Sequence, residues 1–201
     1  QEIHRFDNVP LHEDGKLCHN FSGICQEIDL AIEKARKIDS VAFDTWGVDY
    51  GLLDSKGNLL RNPVHYRDLR TKDAPKRVFQ SISPDELYAK TGNQIMPINT
   101  LFQLTTEDTT DAAQLLFMPD LFAYHLCKKA VCERTIASTS QMLDMTTGSW
   151  NTEVCARCGI PAALLADICD SAAIIGETEQ GFKVIAAAGH DTPVSYTHLT
   201  L

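Results

Sequence analysis

At 201 residues, with a net charge of −9 and 44% hydrophobic residues, the chain has the composition of an ordinary globular domain. The acidic balance argues against a general nucleic-acid partner, since neutralising phosphates needs clustered Lys and Arg; it leaves room for a nucleotide held by backbone amides. No apolar run approaches a membrane span and the N-terminus is no signal peptide, so neither a membrane nor a nucleic-acid partner is expected, and the location expected is cytoplasmic.

Glu2 to Phe6 reads as a short strand, followed by a loop containing Pro10 and Gly15. Ile24, Ile28, Ala31, Ile32 and Ala35 recur at helical spacing, which predicts an amphipathic helix over 24–38. Val41 to Phe43 reads as a buried strand, and Val48 to Asp54 as another that turns through Asp54 to Asn58 into Leu59 and Leu60. Ser83-Pro84-Asp85-Glu86 carries a cap, a first-turn proline and a capping-box acid, and Thr91-Gly92 closes that helix. Ala112 to Leu116 and Leu121 to Lys128 read as helices broken by Pro119. Asn151 to Cys158 and Pro161 to Ile168 read as two more. Strands interleaved with helices give an α/β fold. The seven cysteines are odd in number and irregular in spacing, as reduced thiols are, and Cys155 and Cys158 read as packing residues rather than metal ligands.

Three stretches carry chemistry. Gly189-His190-Asp191-Thr192 follows the apolar run Val184 to Ala188, so it delivers an imidazole, a carboxylate and a hydroxyl to the carboxyl edge of a sheet, where open α/β sheets bind ligands. Asp191 there is either a base for an alcohol proton or the start of a turn or helix. Asp44 to Gly51 crowds acids, Trp46, Tyr50 and two glycines into the joint between two strands; it is either a face for a polyhydroxylated ring or a turn with Trp46 in the core. His65 to Thr71 is a charged, aromatic loop that either carries binding groups or is solvated with an Arg67–Asp68 pair.

Asp44-Thr45-Trp46-Gly47-Val48-Asp49-Tyr50 followed by Asn62-Pro63-Val64-His65-Tyr66-Arg67-Asp68 resembles the N-terminal domain of FGGY-family carbohydrate kinases, within them most closely the rhamnulokinase branch. The resemblance continues through 86–92, 98–104, 118–121, 137–144 and 189–192 in the family's order. It implies a ribonuclease-H-like, actin-like fold and transfer of the ATP γ-phosphate to a sugar hydroxyl with Mg²⁺. L-rhamnulose is the first candidate, giving L-rhamnulose 1-phosphate; the alternatives are another ketose or polyol, such as L-fuculose or D-xylulose, and a non-catalytic sugar-binding module. By resemblance Asp191 is the catalytic base, and Trp46, Gly47, Arg67, Asp68, His190, Asp191 and Thr192 meet the sugar. Sugar and ATP are thus the expected partners. No ATP-site residue, metal ligand or oligomeric state is assigned.

The family's opening phosphate hairpin and its second, nucleotide-binding domain have no counterpart among these residues. Residues 1–193 are therefore expected to be a sugar-binding domain incomplete at both ends and inactive alone, and 194–201 a non-native tail.

Overall fold

The computed structural model describes residues 1–35 and 37–191. Residues 1–10 carry no regular secondary structure, contrary to the expected strand over Glu2 to Phe6: Ile3 and Phe6 are exposed, and apolar side chains without a neighbouring strand gain nothing from extending. The first strands are β1 (Leu11–Glu13) and β2 (Lys16–Cys18), joined through Asp14 and Gly15 at φ 49° and 75°. Two successive left-handed residues of the Asp-Gly type make the tight hairpin turn that the loop reading overlooked.

Helix α1 (Phe21–Ala35) matches its periodicity and buries Ile24 and Cys25 against Phe122 and Met118. Strand β3 (Ser40–Val41) is short and half-exposed rather than buried, because it forms the edge of its sheet. Strand β4 (Tyr50–Leu53) is buried at every residue, and its turn is set by Asp54, whose Oδ1 accepts the amides of Lys56 and Asn58. Helix α2 (Ala74–Val78) follows, and then α3 (Pro84–Thr91), where Ser83 accepts the Glu86 amide and Gly92 closes at φ 69° as expected. The Glu86 carboxylate bonds Arg157. Helix α4 (Thr100–Leu104) is buried throughout.

Strand β5 (Gln114–Phe117) stands where a helix was expected. Its three apolar residues are buried, and it pairs antiparallel with β4 from Tyr50↔Phe117 to Leu53↔Gln114. Burial worth roughly 1.5–3 kcal/mol per Leu or Phe outweighs the local helix signal. Helix α5 (Met118–Cys127) takes Pro119 into its first turn, so this proline starts a helix rather than breaking one.

Strand β6 (Cys132–Glu133), helix α6 (Arg134–Ser138), strands β7 (Leu143–Asp144) and β8 (Ser149–Trp150), and helix α7 (Thr152–Arg157) complete the middle of the chain. Of the helix expected over Pro161 to Ile168 only the 3₁₀ turn Ala162–Leu164 forms, since Ile168–Cys169 is β9, parallel to β6. Strand β10 (Ile174–Glu177) is antiparallel to β11 (Lys183–Ile185), which lies parallel to β3. Cys155 is fully buried in the core, and burial pushes its thiol up to about 12 and that of Cys158 to about 11, so both are inert packing groups. No helix among the described residues is long and apolar enough to cross a membrane.

Candidate functional site

The chain past β11 returns to the joint before β4. The Thr45 amide donates to the Gly189 carbonyl at 2.9 Å and the Asp191 amide to the Thr45 carbonyl at 2.8 Å, a parallel bridge centred on His190. Two segments roughly 145 residues apart in sequence thus share one edge. A cleft of about 410 Å³ opens beside them. Trp46, Gly47, Val48 and His190 form one side, Gly92 to Gln94 the rim after α3, Ser138 and Thr139 the end of α6, and Tyr66 and Met96 an apolar corner.

Gly47 is required by close approach. A Cβ there would meet His190 Nε2 and Thr139 Cγ2, each at 3.1 Å. Val48 adopts φ 68°, a conformation that a β-branched residue enters only under constraint. The constraint is visible: its amide donates to Thr139 Oγ1 at 3.1 Å, and its carbonyl accepts the Thr100 hydroxyl at 2.7 Å and the Gln103 amide at 3.2 Å. Gln141, at φ 66° and fully buried, likewise accepts from Asn99 and donates to Thr91 and the Asn93 carbonyl, which fixes the rim.

Beneath the wall lies Asp49, fully buried. Its Oδ2 receives His19 Nε2 at 2.7 Å, Trp46 Nε1 at 3.0 Å and the Tyr66 amide at 3.1 Å, while Oδ1 receives Gln103 Nε2 at 3.1 Å. One carboxylate therefore aims two cleft aromatics. His19 stacks between Trp46 at 4.6 Å and His65 at 4.4 Å. Neither Asp49, His19 nor Gln103 is singled out by sequence reasoning, although Asp49 lies inside a stretch that is. A buried acid that works through other side chains leaves no spacing signal.

The His190 imidazole is half-buried, and burial lowers its pKa below the ordinary value despite Asp191 acting the other way, so it meets a ligand as a neutral ring. Its Nε2 is 3.4 Å from Asp191 Oδ1. Asp191 follows His190 but does not line the cleft, and its side chain is 58% exposed. Arg67 is exposed and stacks over Tyr66 at 5.4 Å, touching the cleft only through that ring. Asp68 is not brought to the cleft: its carboxylate accepts the amides of Leu17 and Arg70, each at 2.9 Å, and so latches β2. Thr192 and the expected tail over 194–201 lie outside the described residues.

Among the described residues, the one group with ligand atoms close enough for a metal is His19, Asp49 and His65. It does not fit Mg²⁺, which takes oxygen ligands in octahedral array, whereas two of these donors are stacked imidazoles and the carboxylate already serves four protons.

Residues 16–198 match the N-terminal domain of the FGGY family of carbohydrate kinases. The chain is similar to a rhamnulokinase from Enterococcus faecalis, 36% identical over 96% of this chain and 42% of that protein. A rhamnulokinase from Bacteroides thetaiotaomicron is 38% identical over 96% and 44%. In fold the chain matches a xylulose kinase from Rhodospirillum rubrum with a TM-score of 0.82 at 14% identity, over 90% of this chain and 43% of that one. It thus spans under half the length of these relatives, and it belongs to the FGGY family of carbohydrate kinases.

Proposed function

We propose that this chain forms the sugar-binding part of an ATP-dependent carbohydrate kinase whose substrate is L-rhamnulose. The observation that carries this reading is the bridge of Thr45 to His190, which packs Gly47 against His190 on one side of the cleft and brings Asp191 next to it in the chain. The rhamnulokinase relatives supply the choice of sugar, because the xylulose kinase has the same fold and cannot.

The lining supports a neutral ligand. Among the described residues it holds amides, hydroxyls and a neutral imidazole but no Lys, Arg, Asp or Glu, while Met96, Tyr66 and Trp46 give an apolar corner suited to a deoxy carbon. In this reading Asn93, Gln94 and His190 fix the sugar hydroxyls, and the Trp46 ring, held by Asp49, covers the ring face. Asp191 accepts the proton of the hydroxyl that attacks the γ-phosphorus, and its exposure leaves it reachable by the second reactant. Mg²⁺ supplies charge neutralisation on the phosphates when present. The described residues do not build its site, so no step here runs through it.

The test is ADP release by the full-length gene product carrying this sequence, across L-rhamnulose, L-fuculose, D-xylulose, glycerol and D-gluconate. L-rhamnulose is expected to give a kcat/KM at least about tenfold above the others, the discrimination that one or two polar contacts supply. A higher value for another sugar overturns the substrate, and no sugar-dependent ADP overturns the kinase reading.

A further inference from the structure

The segment that carries His190 and Asp191 is tethered from below by Glu133, a buried acid that neither the cleft lining nor the proposed chemistry includes. Its Oε2 accepts the amides of Thr135 at 2.9 Å and Ile136 at 3.1 Å and the Thr135 hydroxyl at 2.6 Å, capping α6. The same oxygen accepts the Gly189 amide at 3.2 Å, from 56 residues away, and Oε1 accepts the Ser171 hydroxyl at 2.6 Å. Three of these donors are local and explained by capping. The Gly189 amide is not.

What the carboxylate joins gives the fourth bond its meaning. Helix α6 ends in Ser138 and Thr139 on the cleft, and Thr139 holds the Val48 amide. Gly189 leads directly into His190 and Asp191. Gly189 is also wedged in place, since a Cβ on it would meet Pro119 Cγ at 3.1 Å and Glu133 Oε2 at 3.6 Å. Behind Glu133, Asp120 Oδ1 accepts its backbone amide at 3.0 Å, so the acid is held from both ends.

We infer that Glu133 is a positioning residue: its carboxylate fixes the Asp191 segment against the wall that carries Thr139 and Val48, and so sets the alignment of base and sugar. This rests on the kinase reading above.

Glu133→Asp separates the two roles, because Asp caps helices well but falls short of Gly189 by one C–C bond, about 1.5 Å. In the full-length gene product, Glu133→Asp is expected to melt like the parent and to bind L-rhamnulose within about threefold, followed by tryptophan emission. Its kcat should fall by about 10- to 100-fold, the scale of a misalignment near 1 Å. Glu133→Gln keeps the reach, offering one oxygen to the amides and its NH₂ to Ser171, and should restore kcat to within about fivefold, since only the charge on the bond is lost. Parental kcat in Glu133→Asp, or equal losses in the Asp and Gln variants, would overturn the inference. Should Glu133→Asp not fold, Glu133→Gln alone carries the test: a kcat lowered as far as that of a misaligned site, about 10-fold or more, in a protein that melts like the parent overturns the inference, because Gln keeps the bond to the Gly189 amide. Asp191→Asn in the same assay tells the two failures apart: if it turns over normally the reading of the site is wrong, whereas its loss beside an active Glu133→Asp removes only the role of Glu133.

Discussion

The two segments that meet at the Thr45–His190 bridge are built differently. The wall from Trp46 to Asp49 is over-determined: Val48 is bonded through both its backbone groups in a conformation it would not adopt alone, and Asp49 is buried with four donors. The exit from Gly189 to Asp191 is held by backbone bonds to Thr45 and one side-chain bond to Glu133, and it ends in a carboxylate more than half exposed. Rigidity sits where a ligand must be recognised. Accessibility sits where, in the proposed reading, a proton leaves. Stored strain and buried charge belong on the recognition side, since only there does a fixed geometry repay their cost.

The contrast breaks first at Asp191. In the full-length gene product, Asp191→Asn is expected to lower kcat by about 10²–10⁴-fold, the usual contribution of a positioned base. Sugar affinity and melting temperature should stay near parental, because the side chain is exposed. Parental turnover would remove Asp191 from that role. Asp49→Ala should show the opposite pattern. It strands the buried His19 donor at roughly 1–3 kcal/mol and leaves the half-buried Trp46 and Tyr66 donors without their acceptor at a smaller cost each. The expected result is a loss of about 3 kcal/mol or more in denaturant unfolding, with the sugar-induced change in Trp46 emission abolished. A stable Asp49→Ala protein that still binds sugar would show that the wall is not organised by this acid.

Gly47→Ala sharpens the comparison at the line where the two segments meet. The added methyl must push against the His190 ring and the Thr139 methyl at 3.1 Å, and φ at Gly47 is not in the left-handed region, so the effect is steric and local. A rise in sugar KM of about tenfold or more is expected with kcat little changed, and a fall in Tm of roughly 3–10 °C, since overpacking at one contact typically costs about 1–3 kcal/mol. Unchanged KM would place the sugar away from the Gly47–His190 seam.

This division explains what was legible in the sequence. Punctuation was readable: Ser83-Pro84 and Gly92 bound α3, and Asp54 to Asn58 makes its turn, because caps and turns are set by a few adjacent residues. Element type failed where tertiary burial decided it. Gln114 to Phe117 is a strand because β4 lies beside it, and Val41 is an edge because its neighbours end there. The exit motif stood out as a candidate site because it follows an apolar run, and Gly47 through the family resemblance; the residues alone left a plain turn open at both. His19, Gln103 and Glu133 were not, since each acts through hydrogen bonds to residues more than 25 positions away, which no local pattern encodes.

Behind the exit, at Asp120, the expected effect falls on stability alone and depends on pH. Burial raises its pKa from 3.8 to about 8, with Glu133 adding to the shift, while the amide of Glu133 and the thiol of Cys132 act against it. The native state therefore keeps a proton up to about pH 8 that the unfolded chain releases near pH 3.8. Between those values the native state binds the extra proton, so stability falls as pH rises through the window and levels off above it. Each pH unit within the window removes roughly 1.4 kcal/mol, or roughly 3–5 °C of Tm in a chain of this size. Asp120→Asn cannot ionise, and its carbonyl oxygen can still accept the Glu133 amide. Cys169 nearby, whose thiol burial and Asp120 push up to about 11, titrates above this window and does not enter the comparison. The Tm of Asp120→Asn relative to the parent should therefore climb steadily from pH 5 to 8. Parallel Tm–pH curves would show that Asp120 ionises at its ordinary pH in the folded chain.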